Sequence, residues 1–503
     1  MPASPTPHIA IAIIGTGFGG LGLAIRLKQS GRDDFLMFER DTDVGGTWRD
    51  NSYPGCACDV ESLLYSFSFA PNPRWSRTYS PQPEIQAYLQ DCARRFDVLK
   101  HVRFQHNLTG SIWHDTEKRW HLTTSAGDFT ADVLVSAVGP LSAPEIPSLK
   151  GIETFTGKMF HSAQWDHKYS LAGKRVAVIG TGASAIQFVP QIQPQVSQLT
   201  LFQRTPPWIL PRRDRPYSEE EKNLHARFPL AQKFKRLKIF VVREFYGVGF
   251  RRPKFMAKAE YVATRHLQRA IASPELRRQL LPKYQFGCKR VLLSDDYYPA
   301  LAQSNVELVT ERVLEVRAKS IVTADNTERP IDVIIYGTGF QVTNAPYANL
   351  VKGRDGLSLA EVWQGRPGAY VGTTVAGFPN LFILHGPNTG LGHNSAILML
   401  EAQIKHVLHA LTYMRRKKVA AVEPTAAAAK RFSEEIARRG VGTVWTLGCN
   451  SWYLDRTGFN STLWPASVPA FKRRVEKFRS HDYQAYKTIA SQAHLPTNTA
   501  LSQ

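Results

Sequence analysis

Two copies of one local pattern predict an α/β fold. The apolar, isoleucine-rich run Ile9–Ile14 enters the loop Gly15-Thr16-Gly17-Phe18-Gly19-Gly20, and Leu21, Ala24, Ile25 and Leu27 then recur at helical spacing. The same succession returns at Lys174–Ile179, Gly180-Thr181-Gly182-Ala183-Ser184-Ala185, and Ile186, Val189 and Ile192. Continuous apolar runs suit strands buried on both faces, as in parallel sheets. The glycines permit a tight turn and let the backbone approach a phosphate closely. A chain of 503 residues has room for two or three domains. The expected class is α/β with two Rossmann-like, dinucleotide-binding domains.

Each unit carries its own clue to the nucleotide. The apolar run Phe35–Phe38 ends in Glu39, 19 residues after Gly20, where a carboxylate can accept hydrogen bonds from a ribose diol. In the second unit, Leu199–Phe202 runs into Gln203-Arg204-Thr205, with Arg204 19 residues after Ala185. An arginine there pairs with a 2′-phosphate that an acid would repel. The second dinucleotide is therefore expected to be NADP.

Between these landmarks, Pro71–Pro83 reads as a loop and Glu84–Phe96 as a helix. Trp113 and Trp120 flank Asp115-Thr116-Glu117-Lys118 as the arms of a hairpin. Ala131–Val138 reads as a strand, and Gly139, Pro144 and Pro147 mark the exit into the second unit. Ile331–Tyr336 and Gly337-Thr338-Gly339-Phe340 read as the strand and turn that return the chain to the first unit. Leu381–Leu384 is a further buried strand, and Asn394 or Ser395 can cap a helix running toward Tyr413. His385 and His393 are read as satisfied loop residues, and the chain beyond about His481 as polar and peripheral. The expected organisation is a first segment at 1–150, a second unit at 151–330 with a basic helical insert at about 212–284, and a second, discontinuous segment of the first unit at 331–503.

Between the glycine loops stands Phe155-x-Gly157-x(3)-His161-x(3)-Trp165-Asp166. It resembles the fingerprint of the type I Baeyer–Villiger monooxygenases, flavoproteins that insert one oxygen atom next to a ketone carbonyl. Gly45-Gly46-Thr47-Trp48, Tyr53-Pro54-Gly55 and Asp59 resemble the second fingerprint of that family, with Trp48 where flavin disulfide reductases carry a cysteine. Ala57 departs from the pattern, in which a basic residue is frequent. Gly287-Cys288-Lys289-Arg290 resembles the family's Lys-Arg pair, and Gly448–Tyr453 its C-terminal loop.

The resemblance spans Ile9 to Pro469 and implies a reaction. NADPH, O2 and a ketone would give an ester or lactone, NADP+ and water through a C4a-peroxyflavin. It implies FAD on Gly15, Gly17, Gly20, Glu39, Gly46, Thr47, Trp48 and Asp59. NADP would lie on Gly180, Gly182, Ser184, Arg204, Thr205 and Lys289, with Asn394 and Trp452 completing the cofactor sites. Arg290 would sit over the flavin as the catalytic group, oriented by an ion pair with Asp59. The nearest alternative is an N- or S-oxygenating flavin monooxygenase, which typically carries Tyr where Trp165 stands. A more distant one is a basic, non-catalytic interaction protein that kept a flavin fold.

The net charge of +21 allows nucleic acid, an acidic membrane surface or an anionic cofactor as partner. Without zinc-finger spacing or a basic run, nucleic acid is not expected. Much of the charge falls in the insert, interleaved with Phe240, Val241, Phe245 and Phe250. A solvated helical face is expected there, with peripheral membrane contact as the lesser reading. Cys56, Cys58, Cys92, Cys288 and Cys449 are odd in number and scattered, unlike a secreted disulfide framework. Cys56 and Cys58 are C-x-C with no further Cys/His pair, so neither thiol redox chemistry nor a metal is expected. Glycines interrupt the run Ile9–Ile25, which no basic residue precedes, so it reads as strand and turn rather than signal core. A soluble cytoplasmic protein is the expectation.

Overall fold

A computed structural model describes residues 6–448 and 451–487. Strands β1 (His8–Ile14), β2 (Phe35–Phe38), β3 (Val102–Arg103), β4 (Leu108–His114), β5 (Arg119–Thr124) and β6 (Gly127–Ser136) make up most of one sheet, in the order β4-β5-β6-β1-β2-β3. β1, β2 and β3 are parallel, whereas β4, β5 and the first half of β6 form an antiparallel meander. The expected hairpin is there, with Trp113 opposite Trp120. Helix α1 (Phe18–Gln29) follows the first glycine loop and is buried around most of its circumference. The helix expected at Glu84–Phe96 spans Gln82–Arg95.

The second sheet is wholly parallel. It contains β7 (Lys158–His161), β8 (Arg175–Ile179) and β9 (Gln198–Phe202), ordered Val306–Val309, β9, β8, Val333–Tyr336, β7. Val333–Tyr336 corrects the sequence reading. It lies between β8 and β7 in the second sheet, and the return to the first unit comes only after it. A four-residue apolar run buried on both faces fits either sheet, so its composition could not choose. Beyond it the chain adds Val351–Lys352 beside β4 and Leu381–Ile383 beside β6. In both sheets the glycine loop follows a central strand where the strand order reverses, the place where open α/β sheets bind ligands.

The insert is helical as expected: Glu219–Arg227, Pro229–Arg251, Ala257–Ala270 and Pro274–Leu280. The solvated face expected of it is not what the Pro229–Arg251 helix presents, since its outward residues are largely apolar. A second correction concerns the C-terminus. Tyr483–Lys487 pairs antiparallel with Val419–Pro424, and Asp482 and Tyr483 are buried. The Tyr483 hydroxyl lies 2.8 Å from His406 Nε2 and 2.9 Å from Thr374 Oγ1. Burial holds His406 neutral, with its pKa down to about 4. Among mostly polar neighbours, Tyr483 gives the sequence no period to reveal this.

Tyr483→Phe should therefore leave two buried groups without a partner. Thermal and urea unfolding should report a loss of about 1–3 kcal/mol with the fold retained; unchanged stability would show that Tyr483 carries no such bonds.

Candidate active site

The first glycine loop is shaped by close approach. Gly15 has φ +100°, and a Cβ there would lie 2.8 Å from the Ala137 carbonyl oxygen; a Cβ on Gly20 would meet the Gly15 carbonyl at 2.0 Å. Gly45 donates its N–H to the Thr16 carbonyl, and a Cβ on Gly46 would stand 3.0 Å from the Gly17 Cα. The Gly45–Trp48 stretch thus folds down onto the loop. Glu39 lies at the end of β2 and is buried. Its carboxylate accepts from the Thr16 N–H (3.1 Å) and hydroxyl (2.5 Å) and pairs with Arg49 at 2.9 Å. It braces the loop, so a ribose would share it with Thr16. α1 begins with no side-chain cap and no acid in its first turn. Its N–H groups therefore suit a pyrophosphate.

The second loop repeats the construction. Gly180 has φ +105°, and a Cβ there would meet the Gly337 carbonyl at 2.5 Å. The Ala185–Ile192 helix begins at Ser184 with no side-chain cap and no acid in its first turn. Thr181 Oγ1 donates to the Thr205 carbonyl (3.2 Å), and Arg204 stands exposed at the end of β9. Lys289 comes from a distant loop to lie near it. Burial lowers the Lys289 pKa and the neighbouring Arg204 charge lowers it further. Among the described residues neither makes an ion pair with a carboxylate. Two unneutralised cations side by side fit a bound phosphate.

The two fingerprints meet between the sheets. Tyr53 donates to Gln187 Oε1 (3.0 Å), and Gly55 (φ +78°) comes so near the Gln187 carbonyl that a Cβ would lie 2.6 Å from it. Phe188, on the same helix, packs edge-on against Tyr53 (6.0 Å between ring centres) and tilted against Trp165 (5.3 Å). Trp165 also packs on Phe160 of β7. Gly157 must be glycine, because a Cβ would lie 2.3 Å from the Asp332 carbonyl and 2.6 Å from the Phe155 ring. Asp166 binds Lys158 at 2.7 Å. His161 is buried and held neutral by desolvation, with Nδ1 accepting from the Ala163 N–H (3.1 Å). Its ring meets Phe340, 5.6 Å away, where the two connections between the sheets pair antiparallel at Pro144 and Phe340.

Asp59 and Arg290 form the charged centre of this junction. Arg290 Nε and Nη2 both donate to Asp59 Oδ2, at 3.0 and 2.5 Å. Burial pushes the Asp59 carboxyl up, but Arg290 and then Arg243 outweigh it and leave it below its ordinary range. The Asp59 charge in turn raises Arg290 against the cost of burial. Both side chains keep some exposure, 31% for Arg290 and 27% for Asp59, so the pair borders accessible space. Arg243 donates to the Asp59 carbonyl (3.1 Å) and to Glu61 (2.8 Å). Arg212 donates to the Cys58 carbonyl (3.2 Å), placing a cation one residue beyond Ala57, whose backbone is held at both ends by Gln187. The Cys56 thiol is pushed by burial up to about 12 and Cys58 higher still, so both are poor nucleophiles.

Two further sequence-predicted residues have neighbours within the protein, and one of the two expected helix caps is in place. Asn394 donates to Glu244 (2.9 Å) and accepts from the Ser395 N–H, while Ser395 caps the Ala396–Lys417 helix. Trp452 is 44% exposed and packs on Tyr453; buried Tyr453 is the residue beside Arg290, and burial pushes its hydroxyl up to about 12. Cys449 and Asn450 of that loop lie outside the described residues. Sequence reasoning did not single out Arg49, Gln187, Phe188, Arg243, Glu244 or Tyr453. Only Tyr453, next to a predicted residue, carried a local signal.

A family model for flavin-binding monooxygenase-like proteins matches residues 8–353. A Baeyer–Villiger monooxygenase of Streptomyces coelicolor is 49% identical over 491 residues, which cover 96% of this chain and 94% of the relative. A closed crystal structure of cyclohexanone monooxygenase superposes with a TM-score of 0.86 at 30% identity, covering 96% of this chain and all of that one. A complex of OTEMO with FAD and NADP gives a TM-score of 0.86 at 29% identity, over 95% of this chain and all of that one.

Arg204→Ala should weaken a 2′-phosphorylated nicotinamide dinucleotide by about 1.5–3 kcal/mol, as for a lost charged contact. The form without the phosphate should be nearly unaffected. Calorimetric titration with both checks this, and equal weakening of the two would remove Arg204 from the phosphate.

Proposed function

The chain belongs to the flavin-binding monooxygenase-like family, and on that basis we propose that Arg290, pinned by Asp59, holds the reacting oxygen as a ketone becomes an ester or lactone. The chain is an NADPH-dependent Baeyer–Villiger flavin monooxygenase with FAD and NADP as cofactors. Bound flavin and nicotinamide supply the hydride transfer and oxygen activation. The residues of this chain bind, orient and keep charge in place.

FAD fits the first crevice, where the uncapped start of α1 meets the Gly15–Gly20 loop and Gly45 and Gly46 close over Gly17, with Thr47 and Trp48 following in the chain. NADP fits the second, its 2′-phosphate on Arg204 and Lys289, with Thr205 and Ser184 beside the loop. The division into two nucleotide-binding domains falls at the paired connections Pro144 and Phe340. Asp59 and Arg290 come from opposite sides of that division, so the pair forms at the junction of the two units that would hold the cofactors.

The observation that carries the reading is the geometry of this pair. Arg290 commits two of its five N–H donors to Asp59 and has the Tyr453 hydroxyl as a further neighbour, which leaves part of its fork for a ligand. A guanidinium is always charged, and its fixed fork can stabilise negative charge gathering on a transferred oxygen. Asp59 removes the rotational freedom that would otherwise blunt this.

Arg290→Ala should keep its flavin, be reduced by NADPH somewhat more slowly, and lose ester formation by about 10²–10³-fold or more, the cost of one preorganised oxyanion donor. NADPH oxidation should continue, uncoupled, releasing hydrogen peroxide. Arg290→Lys should recover little, since a mobile ammonium lacks the fork. Stopped-flow flavin spectra with gas chromatography of products decide it, and undiminished ester yield from Arg290→Ala would overturn the assignment.

A further inference from the structure

We propose that the outward face of the Pro229–Arg251 helix is a docking surface for an anionic lipid bilayer. The helix is amphipathic in the reverse of the usual sense. Four of its polar residues point inward and hold the fold: Gln232 donates to the Asn72 carbonyl (2.7 Å), Arg236 to the Leu63 carbonyl (2.6 Å), Arg243 to Glu61 (2.8 Å), and Glu244 meets His393 (3.1 Å). Beside Ile239 and Phe240, which pack on the core, a second apolar set points outward. Leu230 is 77% exposed, Phe234 71%, Leu237 54%, Val241 56% and Phe245 76%. At successive spacings of four, three, four and four, they form one stripe about 22 Å long. Phe255, just past the helix, is 63% exposed.

The stripe presents on the order of 600 Å² of apolar surface, at the upper limit of what a soluble monomer leaves uncovered. The packing of the helix does not require it, because its inner face is already held by these polar contacts and by Ile239, Phe240 and buried Phe250. Among the described residues nothing covers it, and a stripe of this extent calls for a partner.

Charge selects that partner. From Arg227 to Lys258 the chain has ten Lys and Arg and a single acid, Glu244, which is turned inward. Lys233 and Lys238 flank the stripe, and Lys254 and Lys258 follow it, all exposed. An apolar stripe bordered by lysines matches a helix lying in the interface of an anionic membrane. A second copy is the weaker match, since self-pairing would press these lysines together without an opposing acid. The stripe also falls short of the roughly 800 Å² per partner of a standard interface. Among the described residues no helix is long and apolar enough to cross a bilayer, so the contact is peripheral. The opposite side of this helix holds the Asp59 carbonyl through Arg243. Docking would thus bring one wall of the active site to the lipid surface, although the docking claim does not depend on the reaction assigned above.

The test is flotation of the FAD-loaded enzyme with vesicles at physiological salt. The protein should float with equimolar phosphatidylcholine–phosphatidylglycerol vesicles and stay unbound with pure phosphatidylcholine. Phe234→Glu with Phe245→Glu should reduce binding by about tenfold or more, because binding scales with buried apolar area. Its flavin content and turnover of a water-soluble ketone should match the parent. If that variant fails to fold, Lys233→Glu with Lys238→Glu should weaken binding to the anionic vesicles alone. A parent that ignores anionic vesicles, or variants that bind as well as it does, would overturn the proposal. A parent that sediments as a dimer which Phe234→Glu with Phe245→Glu dissociates would also overturn it, giving the face to a second copy.

Discussion

The ion pair between Asp59 and Arg290 is the constraint on which the rest of the site depends. Its members stand 231 residues apart and are brought together from opposite sides of the division between the two sheets. A partly buried charge pair is costly to break by removing one partner, because the other is left desolvated. The surroundings accordingly hold each member. Arg243 fixes the Asp59 carbonyl, Arg212 the Cys58 carbonyl, and the Cys58 N–H is tied to Ser80. On the other side Tyr453 is buried against Arg290. Both sheets must be correctly placed for the pair to exist at all.

That requirement accounts for the form of the two fingerprints. Neither is built mainly of groups aimed at a reaction. Tyr53 and Gly55 fit the first unit against Gln187, and Trp165 fits the connecting stretch against Phe188, so both converge on the helix that starts at the second glycine loop. Gly157 and His161 secure the connection itself, the first by leaving space for Phe155 and the second by packing on Phe340. The motifs therefore fix the placement of one cofactor crevice relative to the other.

Much of this was legible in the sequence where the signal is local. The glycine loops, the strands on either side of them, the hairpin of Trp113 and Trp120 and the helical insert all follow from short-range period and turn chemistry. The place of Arg204 just past β9 was legible because its distance from the second loop is set by one strand and one helix. What escaped was pairing across the chain. Val333–Tyr336 was assigned to the wrong sheet because an apolar strand does not state its neighbours. Gln187 and Arg243 look like ordinary helix-surface residues until the other unit is set against them. The reversed polarity of the Pro229–Arg251 helix was hidden for the same reason: its period is plain, but which face is inside depends on what it packs upon.

Asp59→Asn isolates the ion pair, because it removes the pinning charge while leaving Arg290, the flavin crevice and the side-chain volume in place. The measurement is ester formed per NADPH consumed with a saturating ketone. A guanidinium that must be pinned predicts retained flavin, sustained NADPH oxidation and a collapse of ester yield into hydrogen peroxide. Coupling equal to the parent's in Asp59→Asn would contradict it, and would mean that Arg290 acts without the ion pair around which the site is built.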